Sequence, residues 1–136
     1  MKLHIHDVRR LALLAGAAAA LLGGPALAAD GKADRAPCFF ITQWQGWKAP
    51  DANTLYLGVN MHDVYRVELS AGSPQLLWPD AHLISEVRGP DSICSAIDLQ
   101  LSVSDTAGFR QPLIARKLTK LTPDEVAAIP KKFRPN

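Results

Sequence analysis

The chain is poor in the residues that most site chemistry needs. Its 136 residues include two cysteines, four histidines and two methionines. His4 and His6 stand near the start, which leaves His62 and His82 for the rest. There is no G-x-S-x-G elbow, no phosphate-binding P-loop and no G-x-G-x-x-G turn, so the enzyme classes that carry those signatures lose their main signal. Only one long apolar run occurs, residues 11–24. At 14 residues it falls short of the roughly 20 that a membrane helix needs.

That run has a clear context. Lys2, Arg9 and Arg10 precede it, and Ala26-Leu27-Ala28 follows as a small-x-small site. The order basic, apolar, small is that of a secretory signal peptide. Cleavage is expected after Ala28, so the mature chain begins at Ala29. The residues around Arg9-Arg10 match a twin-arginine signal poorly, which points to Sec-type export. Cys38 lies too far from the cleavage point for signal-linked lipidation. The expected location is therefore periplasmic or secreted, with no membrane span after cleavage.

The leader also distorts the charge. The whole chain carries a formal +2. Without Lys2, Arg9, Arg10 and Asp7 the balance is 12 basic against 12 acidic residues. A net charge of zero creates no global field for nucleic acid or an anionic membrane. Residues 110–136 nevertheless hold seven basic and two acidic side chains.

Cys38 and Cys94 are expected to pair, because an even cysteine count in an oxidising compartment normally forms disulfides. A redox role is disfavoured by their separation, since redox pairs are usually close in sequence.

The expected organisation is a signal peptide at 1–28, a flexible lead-in at 29–37, one β-rich domain at 38–130 and a basic tail at 131–136. From Cys38 the chain turns apolar and aromatic, and a strand, or a short helical turn running into one, fits there. Residues 54–60 alternate, with Leu55, Leu57 and Val59 on one side. Residues 64–69 do the same, with Tyr65, Val67 and Leu69 inward and Arg66 and Glu68 outward. Period-2 patterns of this kind mark half-buried strands, and the short gap between them predicts a hairpin. Residues 81–88 predict another strand, with Ala81, Leu83 and Val87 on one side. Residues 98–104 predict a further one, with Leu99, Leu101 and Val103 inward, and 113–118 a last one. Thr122, Pro123 and Glu125 form a capping box at the start of a short helix that Pro130 ends. Leu121 and Val126 are placed to staple it, with Val126 and Ile129 facing the sheet. The tail beyond is expected to fray. The fold class is mostly β: a small antiparallel curved sheet or barrel of five to six strands with one short C-terminal helix.

Several segments together resemble a family of small exported proteobacterial proteins whose function is unassigned. The matching pieces are Cys38, Trp47, residues 51–57, residues 63–69, Ile93-Cys94, Asp98 and residues 118–122, spanning about 38–129. Members commonly have four cysteines. The resemblance places Ser73 and the neighbourhood of Gln111 where the second and fourth would stand. It implies a first-to-third and second-to-fourth pairing, which agrees with a Cys38–Cys94 bridge. It implies no activity, cofactor or catalytic residue.

Site chemistry is sparse. His62 falls in a predicted turn. Asp80 and His82 share one strand face and could supply two metal ligands, where a stable site needs three or four. Asp91 and Asp98 flank Cys94, but both read as turn caps. No catalytic, cofactor-binding or metal-binding residue is expected. The stronger hint is aromatic: Phe39, Phe40, Trp44 and Trp47 fall within nine residues. Phe40 and Trp44 share one parity and Phe39 and Trp47 the other, so an unbroken strand would turn one pair outward. The candidate binding patch is Phe40, Trp44, Trp47 and Tyr56. The leading functional expectation is a non-enzymatic module that binds an envelope protein, a peptide or a glycan. The alternatives are a structural or stress-related envelope protein and an inhibitor of a secreted hydrolase.

Overall fold

The computed structural model describes residues 37–135. The leader and nearly all of the lead-in lie outside the described residues.

The alternating segments become strands as their periodicity requires. Strand β2 (Trp44–Asp51), β3 (Thr54–Val59), β4 (Asp63–Ala71), β5 (His82–Ser85), β7 (Gln100–Ser104) and β8 (Arg110–Lys120) form one antiparallel sheet in the order β2-β3-β4-β8-β7-β5. The sheet is curved and nearly closed. Two short strands, β1 (Phe39–Phe40) and β6 (Ser92–Ile93), pair separately. The expected mostly-β fold with one short helix is the fold observed.

Leu55 pairs with Val67, and Leu57 with Tyr65. Across the sheet, Leu101 pairs with Leu113. These side chains share the concave face and make the main core with Phe39, Leu76, Ile93 and Leu99. Fully burying one such side chain stabilises by about 1.5–3 kcal/mol. A single slip in register would turn every one of them to water.

Residues 74–77 form a 3-10 turn that packs against both β2 and β7. Gly72 leads into this turn at very close range to β3's approach. A Cβ at Gly72 would lie 1.7 Å from the Ala52 carbonyl oxygen, so only glycine fits. Ser73 caps the turn: its Oγ accepts from the Gln75 N–H at 3.1 Å and donates to Gln111 Oε1 at 2.6 Å.

Helix α1 (Pro123–Ala128) starts at the capping box read from the sequence. Thr122 Oγ1 accepts from the Glu125 N–H at 3.3 Å, and Glu125 Oε2 accepts from the Thr122 N–H at 2.8 Å. The helix covers the convex face of β3 and β4. There Val64, Leu121 and Ile129 form a second cluster with Tyr56, Val126 and Phe133.

Three expectations are corrected. Residues 131–133 form a 3-10 turn rather than fraying. Arg134 holds them by donating to the carbonyls of Ile129 and Ala127 at 3.0 and 2.6 Å. The strand expected over 81–88 stops at Ser85, so Val87 does not continue the face of Leu83 and is exposed. The reason is local, because Glu86 makes the last bond to Gln100 and Gly89, at φ +128°, then turns the chain away. The strand expected from Asp98 starts at Gln100, because Asp98 caps a 3-10 turn at 96–98.

Candidate functional site

The cysteine pair flanks the short β1–β6 ladder, Cys38 just before β1 and Cys94 just after β6. Cys38 and Cys94 are bonded, with Cα atoms 4.1 Å apart. Asp98 Oδ2 accepts from the N–H groups of Cys94 and Ser95 at 3.0 and 2.8 Å and from Ser95 Oγ at 2.9 Å. Its carboxylate therefore caps local backbone. Asp91 lies on the surface, and its carbonyl accepts from the Ile41 N–H.

The four aromatic residues proposed as a patch are dispersed. Trp44 pairs with Val59 and Trp47 with Leu57, so both face the main core. Two irregularities reset the parity. Residues 41–43 form a 3-10 turn, and Gln45 is an extra residue in the β2–β3 ladder. A bulge of this kind re-aims the side chains that follow it. Trp44 also donates from Nε1 to the Gly46 carbonyl at 2.8 Å. Tyr56 lies on the convex face under helix α1. Phe40 alone is largely open, at 56 % exposure. Trp47→Ala should therefore lower stability by about 2 kcal/mol, while Phe40→Ala should change it by no more than about 0.5 kcal/mol. Urea unfolding of the two variants measures the difference; equal losses would overturn these placements.

His62 is exposed in the β3–β4 turn, next to Asn60, which takes a left-handed φ of 53°. His82 lies exposed on β5, an end strand of the sheet. Asp80 accepts from the Thr106 hydroxyl at 2.9 Å, a bond that lowers its pKa. Among the described residues no three His, Cys, Asp or Glu side chains gather as a metal site.

A groove of about 530 Å³ lies over β7 and β8, bordered by Glu86 and Arg88 just beyond β5. Leu101 and Leu113 point inward, so their neighbours Ser102, Pro112 and Ile114 point outward into the groove. The turn at 96–98 forms one wall and presents Ile97. Ile97 is 84 % exposed and Ile114 59 % exposed. A second recess of about 560 Å³ shares Ala96 and Ile97 with the first and runs on to Glu68, Arg116 and Lys117.

One end of the groove is cationic. Arg88 donates to Glu86 Oε2 at 2.7 Å, and Arg110 donates to Glu86 Oε1. Arg110 Nε also donates to Ser102 Oγ at 2.7 Å. Two guanidinium groups thus bracket one carboxylate. The hydrogen bond from Arg88, and then the charge of Arg110, lower the Glu86 pKa. The Thr122 backbone bond does the same for Glu125. A carboxylate with a lowered folded pKa contributes stability above its unfolded value, about 4.3 for Glu, and loses it as the pH falls through the folded value. Acid unfolding should therefore steepen below about pH 4, and Glu125→Gln should flatten that limb; an unchanged limb in a pH series of thermal scans would refute the assignment.

Sequence reasoning missed this groove because its parts lie far apart in the chain, at residues 86–88, 96–97 and 110–114. The exposed apolar positions Ile97 and Ile114 were its only local trace. Comparison with protein-family models, with curated proteins and with solved structures finds no match.

Proposed function

We propose that this chain is an exported, non-catalytic binding module, braced by the Cys38–Cys94 bridge, that holds its ligand in the groove beside Ile97 and Ile114. The exposure of these two isoleucines carries the reading. Ile97, on the 96–98 turn, and Ile114, on β8, line the same groove, and grouped exposed apolar residues mark interaction sites. The volume lies within the range of about 300–1,000 Å³ usual for ligand sites. Export is supported by the leader pattern and by the disulfide, a bond that persists in oxidising compartments. Membership of the exported family is part of the same proposal. The Ser73–Gln111 hydrogen bond supports it, since it joins the two places where that resemblance puts the second cysteine pair.

Two measurements test the reading. The chain recovered from the periplasm should begin at Ala29 and weigh two hydrogen atoms less than its reduced form; a retained leader would exclude export. Nile red, a neutral apolar dye, should bind the mature chain with one-to-one stoichiometry. The double variant Ile97→Asp/Ile114→Asp should abolish that binding with its circular dichroism unchanged, whereas retained binding would exclude the groove. The packing of Trp44 and Trp47 on the core favours a second reading, a structural envelope protein that leaves the groove empty.

A further inference from the structure

We infer that the groove takes an amphiphile with a carboxylate head and a single apolar tail, of the fatty-acid class. This rests on the binding reading above and names the ligand. The head site is the Arg88–Glu86–Arg110 bracket. Each guanidinium carries five N–H donors, and the bonds to Glu86 and Ser102 engage one donor of Arg88 and two of Arg110. Glu86 is a positioning residue. It offsets the repulsion between the two cations and fixes both planar forks at one end of the groove. The bracket keeps a net charge of +1. Paired, oriented guanidinium groups match the two oxygens of a carboxylate better than a point charge does.

The floor decides against a peptide. The groove lies over a sheet face, where β7 pairs with β5 and with residues 110–114 of β8. Ladder N–H and C=O groups point toward neighbouring strands and not out of the sheet face, so this floor offers a peptide backbone no row of partners. A peptide laid in the groove would bury its own N–H and C=O groups without partners, which is costly. An alkyl tail has no such groups. It would lie against Ile97, Pro112 and Ile114, removing apolar surface from water on both sides.

The test uses the disulfide-bonded mature chain preloaded with Nile red, at neutral pH and below the aggregation concentration of each competitor. Dodecanoate should displace the dye at least tenfold more strongly than dodecanol. Arg88→Ala and Arg110→Gln should each weaken dodecanoate by about tenfold and leave dodecanol within twofold. Circular dichroism would confirm that both variants fold; Arg88, the more exposed of the two, is the safer substitution. Equal displacement by the acid and the alcohol would overturn the carboxylate head but not the groove. Displacement by an apolar peptide and not by dodecanoate would overturn the fatty-acid class. Failure of Nile red itself to bind would overturn the binding reading on which the inference rests.

Discussion

Tyr65→Ala lowers the stability of the domain by about 3–5 kcal/mol, the range for deleting a large aromatic side chain from a core. The residue is 1 % exposed and faces Leu57 across the β3–β4 ladder. Its ring lies 4.7 Å from that of Phe39, tilted by 49°, a geometry favourable for aromatic pairs. Its hydroxyl donates to the Pro37 carbonyl at 2.8 Å. The one side chain therefore ties β4 to the start of the domain by packing and by a hydrogen bond. Tyr65→Phe separates the two contributions: it keeps the ring and should cost only about 1 kcal/mol. Burial raises the Tyr65 pKa above its ordinary value. A raised folded value means that stability is intact below about pH 10 and falls as the pH rises further; Tyr65→Phe should lessen that alkaline loss. Urea midpoints at fixed m-value measure all three. A loss below about 1 kcal/mol for Tyr65→Ala would show that the site collapses without a cavity.

Breaking the Cys38–Cys94 bridge has an effect of similar size. The bond joins residues 56 apart in sequence, and chain-entropy reasoning assigns about 4 kcal/mol to closing a loop of this length. Domains of this kind are commonly stable by about 5–15 kcal/mol, so the double variant Cys38→Ser/Cys94→Ser should lose much of its margin. The structure adds a local consequence. Strands β1 and β6 are two residues each, yet they deliver Phe39 and Ile93 to the core. Two paired residues per strand are little to hold two core side chains in place. Without the bridge, hydrogen exchange at residues 39–43 and 92–95 should quicken before the six-stranded sheet opens. Uniform protection in oxidised and reduced protein would refute that role.

These two effects differ in how far they could be foreseen. The disulfide needs only the cysteine count and the compartment implied by the leader. The inward placement of Tyr65 follows from the alternation through Val67 and Leu69. Its partners do not, because Phe39 and Pro37 reach it through a turn that no periodic pattern announces. The aromatic segment shows the limit most plainly. Parity along 39–47 divided its four aromatics into two opposing pairs. The structure instead brings Phe39, Trp44 and Trp47 to the core and leaves Phe40 out, because a 3-10 turn and the extra residue Gln45 intervene. The pattern through 113–118 is interrupted in the same way, by an extra residue at Arg116 in the β4–β8 ladder.

By itself the sequence determined whatever depends on neighbours a few residues apart: the leader pattern, the alternating strands, the Thr122–Glu125 cap, and the one pairing open to two cysteines. Strand periodicity and capping are local physics, so a short window contains their whole cause. Tertiary structure decided the order of strands, the two faces on which the clusters form, and the groove. Glu86, Ile97 and Arg110 become neighbours only because β5, β7 and β8 pair and the 96–98 turn folds beside them. Convergence of that kind depends on chain closure over tens of residues, and no local pattern of side chains encodes it.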